Sequence, residues 1–255
     1  GCVGDSPTAR VAPARRSEPP PMGFSVRGRP IRCRVYGRHG PAVLVVGGIH
    51  GDEPASATLA RVLCDHLDRH PAAVRGRRVI VAPAVNPDGL ARGQRANARG
   101  VDLNRNFDTP NWRRDPRHGA RPMSEPETRF IARLIRRYDP AVVVQIHQPL
   151  ACIDWDGPAS DLAEAMAEAC GLPTRKLGAR PGSLGSYAGV ERRVPTLTLE
   201  LAKAATGRAP EQLWSRYGPA LLAAVEHPEP AARAEGTPKV EVHGEVRLRW
   251  EHVSE

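Results

Sequence analysis

The sequence predicts a three-layer α/β/α fold with a mixed, mostly parallel central sheet. Short runs of Val, Ile and Leu alternate along the chain with segments whose apolar residues recur at helical spacing. Strands buried on both faces read as continuous apolar runs, and the helices between them connect parallel neighbours. A length of 255 residues lies within the range of one domain of this class.

The elements follow in a regular order. A β-hairpin through Gly28 is expected between residues 24–26 and 31–36. Further strands are expected at 42–46, 79–85, 141–146 and 194–201. Helices are expected at 54–70, 124–137, 160–170 and 211–226. The run Ser124-Glu-Pro-Glu127 resembles a capping box, so Glu125 and Glu127 are interpreted as capping and surface charges.

The ends of the chain differ in composition from its middle. Residues 1–22 are rich in Pro, Ala, Arg and Ser and are expected to be disordered, whereas residues 23–227 form the predicted domain. The extension 228–255 contains an alternating stretch at 240–250 that predicts an edge strand or a small hairpin. The start Gly1-Cys2 matches a bacterial lipoprotein cleavage site followed by a tether; a truncated fragment explains the same observation.

Charge and cysteine content narrow the function classes. The formal net charge of +9, mostly from arginine, favours anionic partners, although a high-GC genome also accounts for it. No nucleic-acid partner is expected, because the chain lacks an aromatic–basic recognition motif and zinc-finger spacing. No stretch approaches the roughly 18–20 apolar residues of a membrane span. The five scattered cysteines argue against a fully paired disulfide scaffold, and those after Cys2 are expected to be buried thiols.

Four polar residues occur where apolar strands end. His50 and Glu53 lie in a glycine-rich loop after strand 42–46, and His147 directly ends the apolar run 141–146. Glu200 lies between leucines, where strand alternation does not explain a carboxylate. A single loop histidine usually has no functional role. Four such residues at strand ends, where α/β folds bind ligands, indicate a site.

Two histidines and a glutamate form a zinc ligand set that leaves one coordination position for water. A second carboxylate such as Glu200 can accept a proton from that water and pass it to a leaving amine. The oxyanion then needs a donor such as arginine. Asn104 and Arg105 lie in the segment 95–107 and offer amide and guanidinium groups; the guanidinium of Arg105 suits a terminal carboxylate.

The order of these residues resembles the zinc carboxypeptidase family. The supporting runs are Gly-Gly-Ile-His50-Gly-Asp-Glu53 and Asp-Leu-Asn104-Arg105-Asn-Phe, and the match covers roughly residues 24–225. Within the family, the sequence is most similar to bacterial murein peptide amidases, which cleave the γ-D-glutamyl–meso-diaminopimelate bond. The turn 86–89 and the segments 146–150 and 181–187 support this similarity.

The resemblance implies a role for each site residue. It implies one Zn²⁺ per chain, held by His50, Glu53 and His147, with Glu200 as general base. It implies that Arg95 polarises the scissile carbonyl, and that Asn104 and Arg105 hold the terminal carboxylate. Digestive members carry a mobile tyrosine well upstream of the catalytic glutamate, and segment 171–186 contains none. The small residues expected to shape the leaving-residue pocket are Gly182, Ser183, Gly185 and Ser186.

The sequence therefore predicts a zinc metallopeptidase or amidase that acts on a peptide or muropeptide next to a free carboxylate. Two alternatives stay open. An N-acyl-amino-acid deacylase shares the fold and the ligand order, and a non-catalytic peptidoglycan-binding module could retain the same fold. A bacterial source follows from the resemblance; the compartment, whether cytoplasm or cell envelope, depends on the role of Cys2.

Overall fold

A computed structural model describes residues 22–227 and has the predicted three-layer architecture. The strands are β1 Gly23–Phe24, β2 Pro30–Ile31, β3 Arg34–Tyr36, β4 Ala42–Val46, β5 Arg78–Ala82, β6 Val142–His147, β7 Leu150–Asp156 and β8 Thr196–Ala202. The helices are α1 Pro54–Arg69, α2 Pro87–Leu90, α3 Pro126–Tyr138, α4 Ser160–Cys170 and α5 Pro210–Glu226. A π-helical segment, Gly185–Val190, precedes β8.

The central sheet has six strands in the order β3-β5-β4-β6-β8-β7. The four inner strands, β5, β4, β6 and β8, are parallel to one another. Both edge strands run antiparallel to their neighbours, β3 to β5 and β7 to β8. The prediction of a mixed, mostly parallel sheet is therefore confirmed. Because the inner strands are parallel, their carboxyl ends meet at one edge of the sheet.

Each face of the sheet packs against its own hydrophobic core. Val43 and Val45 of β4 point into a core built with α1, α4 and α5. Leu44 and Val46 point to the opposite face, where α3 and the π-helical segment complete a second core. All five residues of β4 are buried, as expected of a strand covered on both sides.

Some expectations differ from the structure in extent. The N-terminal hairpin is limited to β1 and β2, and residues 34–36 instead join the edge of the central sheet. The capping-box prediction is wrong: α3 begins after Glu125, which caps nothing, while the Ser124 hydroxyl donates to the carboxylate of Glu125. Glu125 and Glu127 are buried rather than surface charges.

Several expectations fall on residues that the structure does not describe. These residues are the segments 1–21 and 228–255. They include Cys2, where a lipid is predicted, and the predicted strand at 240–250. The remaining cysteines, Cys33, Cys64, Cys152 and Cys170, are buried free thiols, as expected. Within residues 22–227, no helix combines the length and apolar character needed to cross a bilayer.

Candidate functional site

Strands β6, β8 and β7 carry a row of polar side chains on one face of the sheet. The strand register places His147 of β6 beside Glu200 of β8, and Gln145 beside Thr198. On the next strand, Asp154 of β7 lies opposite Thr198. Directly paired residues share a face of the sheet, so these side chains form the floor of one cleft. The cleft has a volume of about 250 Å³.

Three potential metal ligands converge at one end of this cleft. The loop between β4 and α1 supplies His50 and Glu53, and the last residue of the neighbouring parallel strand β6 supplies His147. His50 Nδ1 lies 2.8 Å from Glu53 Oε1, and His147 Nδ1 lies 2.9 Å from Glu53 Oε2. The ligand atoms of this triad all lie within 4.8 Å of one another, and all three residues are buried.

The Nε2 atom of each imidazole faces a side-chain oxygen that can accept a hydrogen bond. His50 Nε2 lies 3.0 Å from Asp102 Oδ1, and His147 Nε2 lies 3.1 Å from Gln145 Oε1. Each ring can therefore keep its proton on Nε2 and present an unprotonated Nδ1 to a cation. Zinc-binding histidines usually donate their second ring N–H to such an oxygen acceptor. The donor set and its supporting contacts thus fit a zinc ion.

The charges around the triad also favour a cation. Burial lowers the pKa of His50, but hydrogen bonds to Asp102 and Glu53 outweigh that effect and raise it to about 9. Burial raises the pKa of Glu53, but His147 and His50 bring it far below its usual range. Glu53 and Asp102 therefore favour positive charge beside His50, part of which Arg95 already supplies.

Glu200 lies in the same cleft beside His147. Its side chain is largely buried, and Oε2 accepts a hydrogen bond from the Leu150 N–H at 3.3 Å. Desolvation by burial raises the pKa of Glu200, and His147 partly offsets this. A raised carboxyl pKa brings a general base closer to neutral pH, which suits both accepting and returning a proton.

The predicted substrate-contacting residues line the cleft next to the triad. Arg95 Nη1 lies 3.3 Å from Glu53 Oε1, and Arg95 Nε lies 3.0 Å from Asp102 Oδ2. The side chain of Arg95 is 45% exposed, so it remains available to a ligand. Arg105 Nη1 donates to the Asn104 carbonyl at 2.5 Å. The Asn104 side chain accepts from the Leu184 N–H at 2.8 Å, so its amide oxygen already has a structural partner.

Of the four predicted pocket residues, Ser183 lines the cleft, whereas Gly182, Gly185 and Ser186 are not among its lining residues. Gly182 approaches the backbone of Arg105 so closely that a Cβ would collide with the Arg105 carbonyl. The Ser186 hydroxyl donates to the Arg180 carbonyl at 2.7 Å, which ties the wall together. Gly185 lies against the carboxylate of Asp156, where a Cβ would collide with Oδ2.

Sequence reasoning missed the acidic side of the cleft. Asp154 and Asp156 of β7 line it together with Thr198 and Arg180. The sequence does contain a sign of this: Asp154 and Asp156 are two residues apart shortly after His147, as they would be on one face of a strand. Asp102 braces its own loop by accepting from the Asn104 N–H at 3.0 Å. Its contact with His50 was not foreseen.

Comparison with known proteins gives a consistent family. The family model described as zinc carboxypeptidase matches residues 14–154. The murein peptide amidase A of Escherichia coli (strain K12) is 42% identical over 166 residues, which is 56% of this chain and 64% of that protein. The alignment thus spans less than two thirds of that relative. Murein peptide amidase A of Vibrio campbellii is 37% identical over 176 residues, covering 62% of this chain and 68% of the relative.

A solved structure extends the similarity over most of the fold. The crystal structure of murein-tripeptide amidase MpaA from Escherichia coli O157 superposes with a TM-score of 0.64 at 31% sequence identity. The superposition covers 84% of this chain and 95% of that one. The likeness therefore covers a larger share of the chain than the family model matches.

Proposed function

This chain belongs to the zinc carboxypeptidase family, and we propose that it is a zinc-dependent amidase that releases the terminal residue of murein peptides. The bond cleaved is the amide between γ-D-glutamate and meso-diaminopimelate. The observation that carries the proposal is the shared cleft: the triad His50, Glu53 and His147 and the buried Glu200 open into one cavity lined by Arg105. The similarity to murein peptide amidases supports the choice of substrate.

Each residue has a role that follows from its position. His50, Glu53 and His147 would hold a zinc ion, which would supply Lewis-acid chemistry at this site. Glu200 accepts a proton from the attacking water and returns it to the departing nitrogen, which leaves as an amine. Arg95 stabilises negative charge that develops on the carbonyl oxygen, since its guanidinium lies beside the triad.

The far end of the substrate is fixed by positive charge. Arg105 binds the terminal carboxylate, and Asn104 supports Arg105 through its backbone carbonyl. Burial, followed by the like charges of Arg95, Arg180 and Arg117, lowers the pKa of Arg105, although Asp102 opposes this. A carboxylate in this place would relieve the repulsion among these guanidinium groups.

The test uses the zinc-loaded protein with two substrate classes: L-Ala-γ-D-Glu-meso-diaminopimelate, and ordinary peptides with a free C-terminal amino acid. We expect free diaminopimelate from the first and much slower release from the second, measured by chromatography of the products. Cleavage of neither class would reject the peptidase assignment. Cleavage of acetyl- or succinyl-amino acids alone would instead identify a deacylase.

Glu200→Gln provides the matching variant. Loss of general-base catalysis should lower kcat/KM by roughly 100- to 10,000-fold, because the neutral amide cannot accept the proton. Glu191→Gln removes an equivalent charge from an exposed position and should retain wild-type turnover. Unchanged function in Glu200→Gln would favour a binding module over an enzyme.

A further inference from the structure

The cleft contains one buried carboxylate that the proposed reaction does not use. Asp156, the last residue of β7, is only 5% exposed and lines the same cavity as Glu200. Within residues 22–227 its carboxylate has no hydrogen bond; its single ion pair is with Lys176 Nζ at 3.9 Å. The Asp156 oxygens are not among the fully enclosed unpaired atoms, so the partners that the protein does not provide come from the cleft, as water or a ligand.

Lys176 is a poor permanent partner for this carboxylate. Its ammonium donates to the Trp155 carbonyl and lies 4.8 Å from the centre of the Trp155 ring, which holds it to one side. The separation from Asp156 is at the outer limit of an ion pair, and the lysine side chain is 48% exposed. A structural salt bridge therefore does not account for Asp156.

The other neighbours of Asp156 increase its need for a cation. Asp154 lies two residues earlier on the same face, and its Oδ1 already accepts from the Leu177 N–H at 2.8 Å. Burial, with the like charge of Asp154, raises the pKa of Asp156 to about 6, and Lys176 only partly opposes this. Gly185 and Gly189 pack directly against Asp156, so the π-helical segment holds the carboxylate in place.

We propose that Asp156, assisted by Asp154, binds the ammonium group on the side chain of the leaving residue. This inference rests on the proposed function, which places the leaving residue in this cleft. The distal carbon of meso-diaminopimelate carries both an ammonium and a carboxylate. Arg180, which lines the same cleft, is the cation that faces the distal carboxylate. The two charges at the wall therefore select a zwitterionic side chain over an apolar one.

The test compares two tripeptides that differ only in the distal amino group. One ends in meso-diaminopimelate, and the other ends in 2-aminopimelate, which keeps the distal carboxylate but lacks the ammonium. The wild-type zinc enzyme should prefer the first by about 10- to 100-fold in kcat/KM, the range of a charge-assisted hydrogen bond. In Asp156→Asn this preference should fall toward one.

A matched control separates charge from position. Asp161→Asn removes a carboxylate from the exposed face of α4, on the opposite side of the sheet, and should keep the wild-type preference. An equal preference in wild type and Asp156→Asn would overturn the inference. If the wild-type enzyme cleaves neither tripeptide, the proposed function fails instead, so the two failures are distinguishable.

Two further measurements do not depend on turnover. Calorimetric titration of the zinc enzyme should show tighter binding of free meso-diaminopimelate than of 2-aminopimelate, and Asp156→Asn should remove the difference. Because burial raises the pKa of Asp156 in the folded state to about 6, from 3.8 for an exposed aspartate, ionisation of Asp156 lowers folding stability as pH rises from about 4 to 6. Asp156→Asn should therefore be at least as stable as wild type at pH 8; a clear loss of stability would mark Asp156 as a structural partner and overturn the inference.

Discussion

At the scale of single residues, Asp102 links His50, a candidate metal ligand, to the guanidinium of Arg95. Its Oδ1 faces His50 Nε2 and also accepts from the Asn104 N–H, both at 3.0 Å. Its Oδ2 accepts from Arg95 Nε at 3.0 Å. One carboxylate thus orients an imidazole, a loop and a guanidinium. The positions of His50 and Arg95 are therefore coupled, although the two residues lie in different loops.

Replacing Asp102 tests this orienting role. In Asp102→Asn the imidazole of His50 loses a charged acceptor, so we expect zinc to bind about 10- to 100-fold more weakly. Competition with a chromophoric chelator measures the dissociation constant directly. Asp115→Asn is the control, because the carboxylate of Asp115 accepts hydrogen bonds from the backbone N–H and the side chain of Arg117. Equal zinc affinity in wild type and Asp102→Asn would contradict the assignment.

At the scale of elements, the pattern of apolar residues predicted the inner strands and most helices. These elements are buried on one or both sides, and burial requires apolar residues at regular positions. The helix predicted at 160–170 matches α4, Ser160–Cys170, residue for residue. Strand β7 was not predicted, because one of its faces lines a polar cleft and carries Asp154 and Asp156, residues that strands normally disfavour. The π-helical segment was also missed, since its Gly- and Ser-rich sequence resembles a loop.

The candidate site was predictable to a similar degree. The candidate metal ligands follow strand ends and stand out from their apolar surroundings, so the sequence indicated them together with Glu200. The distances between them depend on which strands are neighbours, and sequence order does not determine that. Asp156 was invisible because its significance lies in the lack of a hydrogen-bonding partner, which only the packed structure reveals.

The loop that carries Arg95 depends on a buried amide. Asn97 Nδ2 donates to Glu125 at 2.8 Å and to Glu127 at 3.2 Å, while its Oδ1 accepts from the Val101 N–H at 3.1 Å. Glu127 in turn accepts from the Val26 N–H of the N-terminal hairpin. The amide therefore joins the Arg95 loop, α3 and the hairpin.

Asn97→Ala should destabilise this junction. It leaves buried acceptors and a buried N–H without partners, which corresponds to a loss of about 1–3 kcal/mol in unfolding free energy for each such group. Urea unfolding measures the change. Gln94→Ala is the control, since it removes an exposed amide from the same loop. A variant as stable as wild type would show that water replaces the amide and that the junction does not depend on Asn97.

At the scale of the whole molecule, the metal site joins parts of the chain that are distant in sequence. His50 and Glu53 follow β4, whereas His147 ends β6, and these two strands pair only in the folded sheet. A cation that binds all three residues therefore binds the folded state in preference to the unfolded chain. Metal affinity and folding stability are consequently linked.

This linkage predicts a zinc-dependent gain in stability. At free zinc of 100 times the dissociation constant, the unfolding free energy should rise by about 2.7 kcal/mol relative to metal-free protein. Urea unfolding at buffered zinc concentrations measures the gain, and a chelator should reverse it. In His147→Ala the gain should disappear, whereas His66→Ala should retain it. His66 stacks on His70 in the last turn of α1, roughly 20 Å along the helix from Glu53, which precedes its first turn. An equal gain in both variants would mean that zinc binds elsewhere, and the assignment of the triad as the metal site would then be wrong.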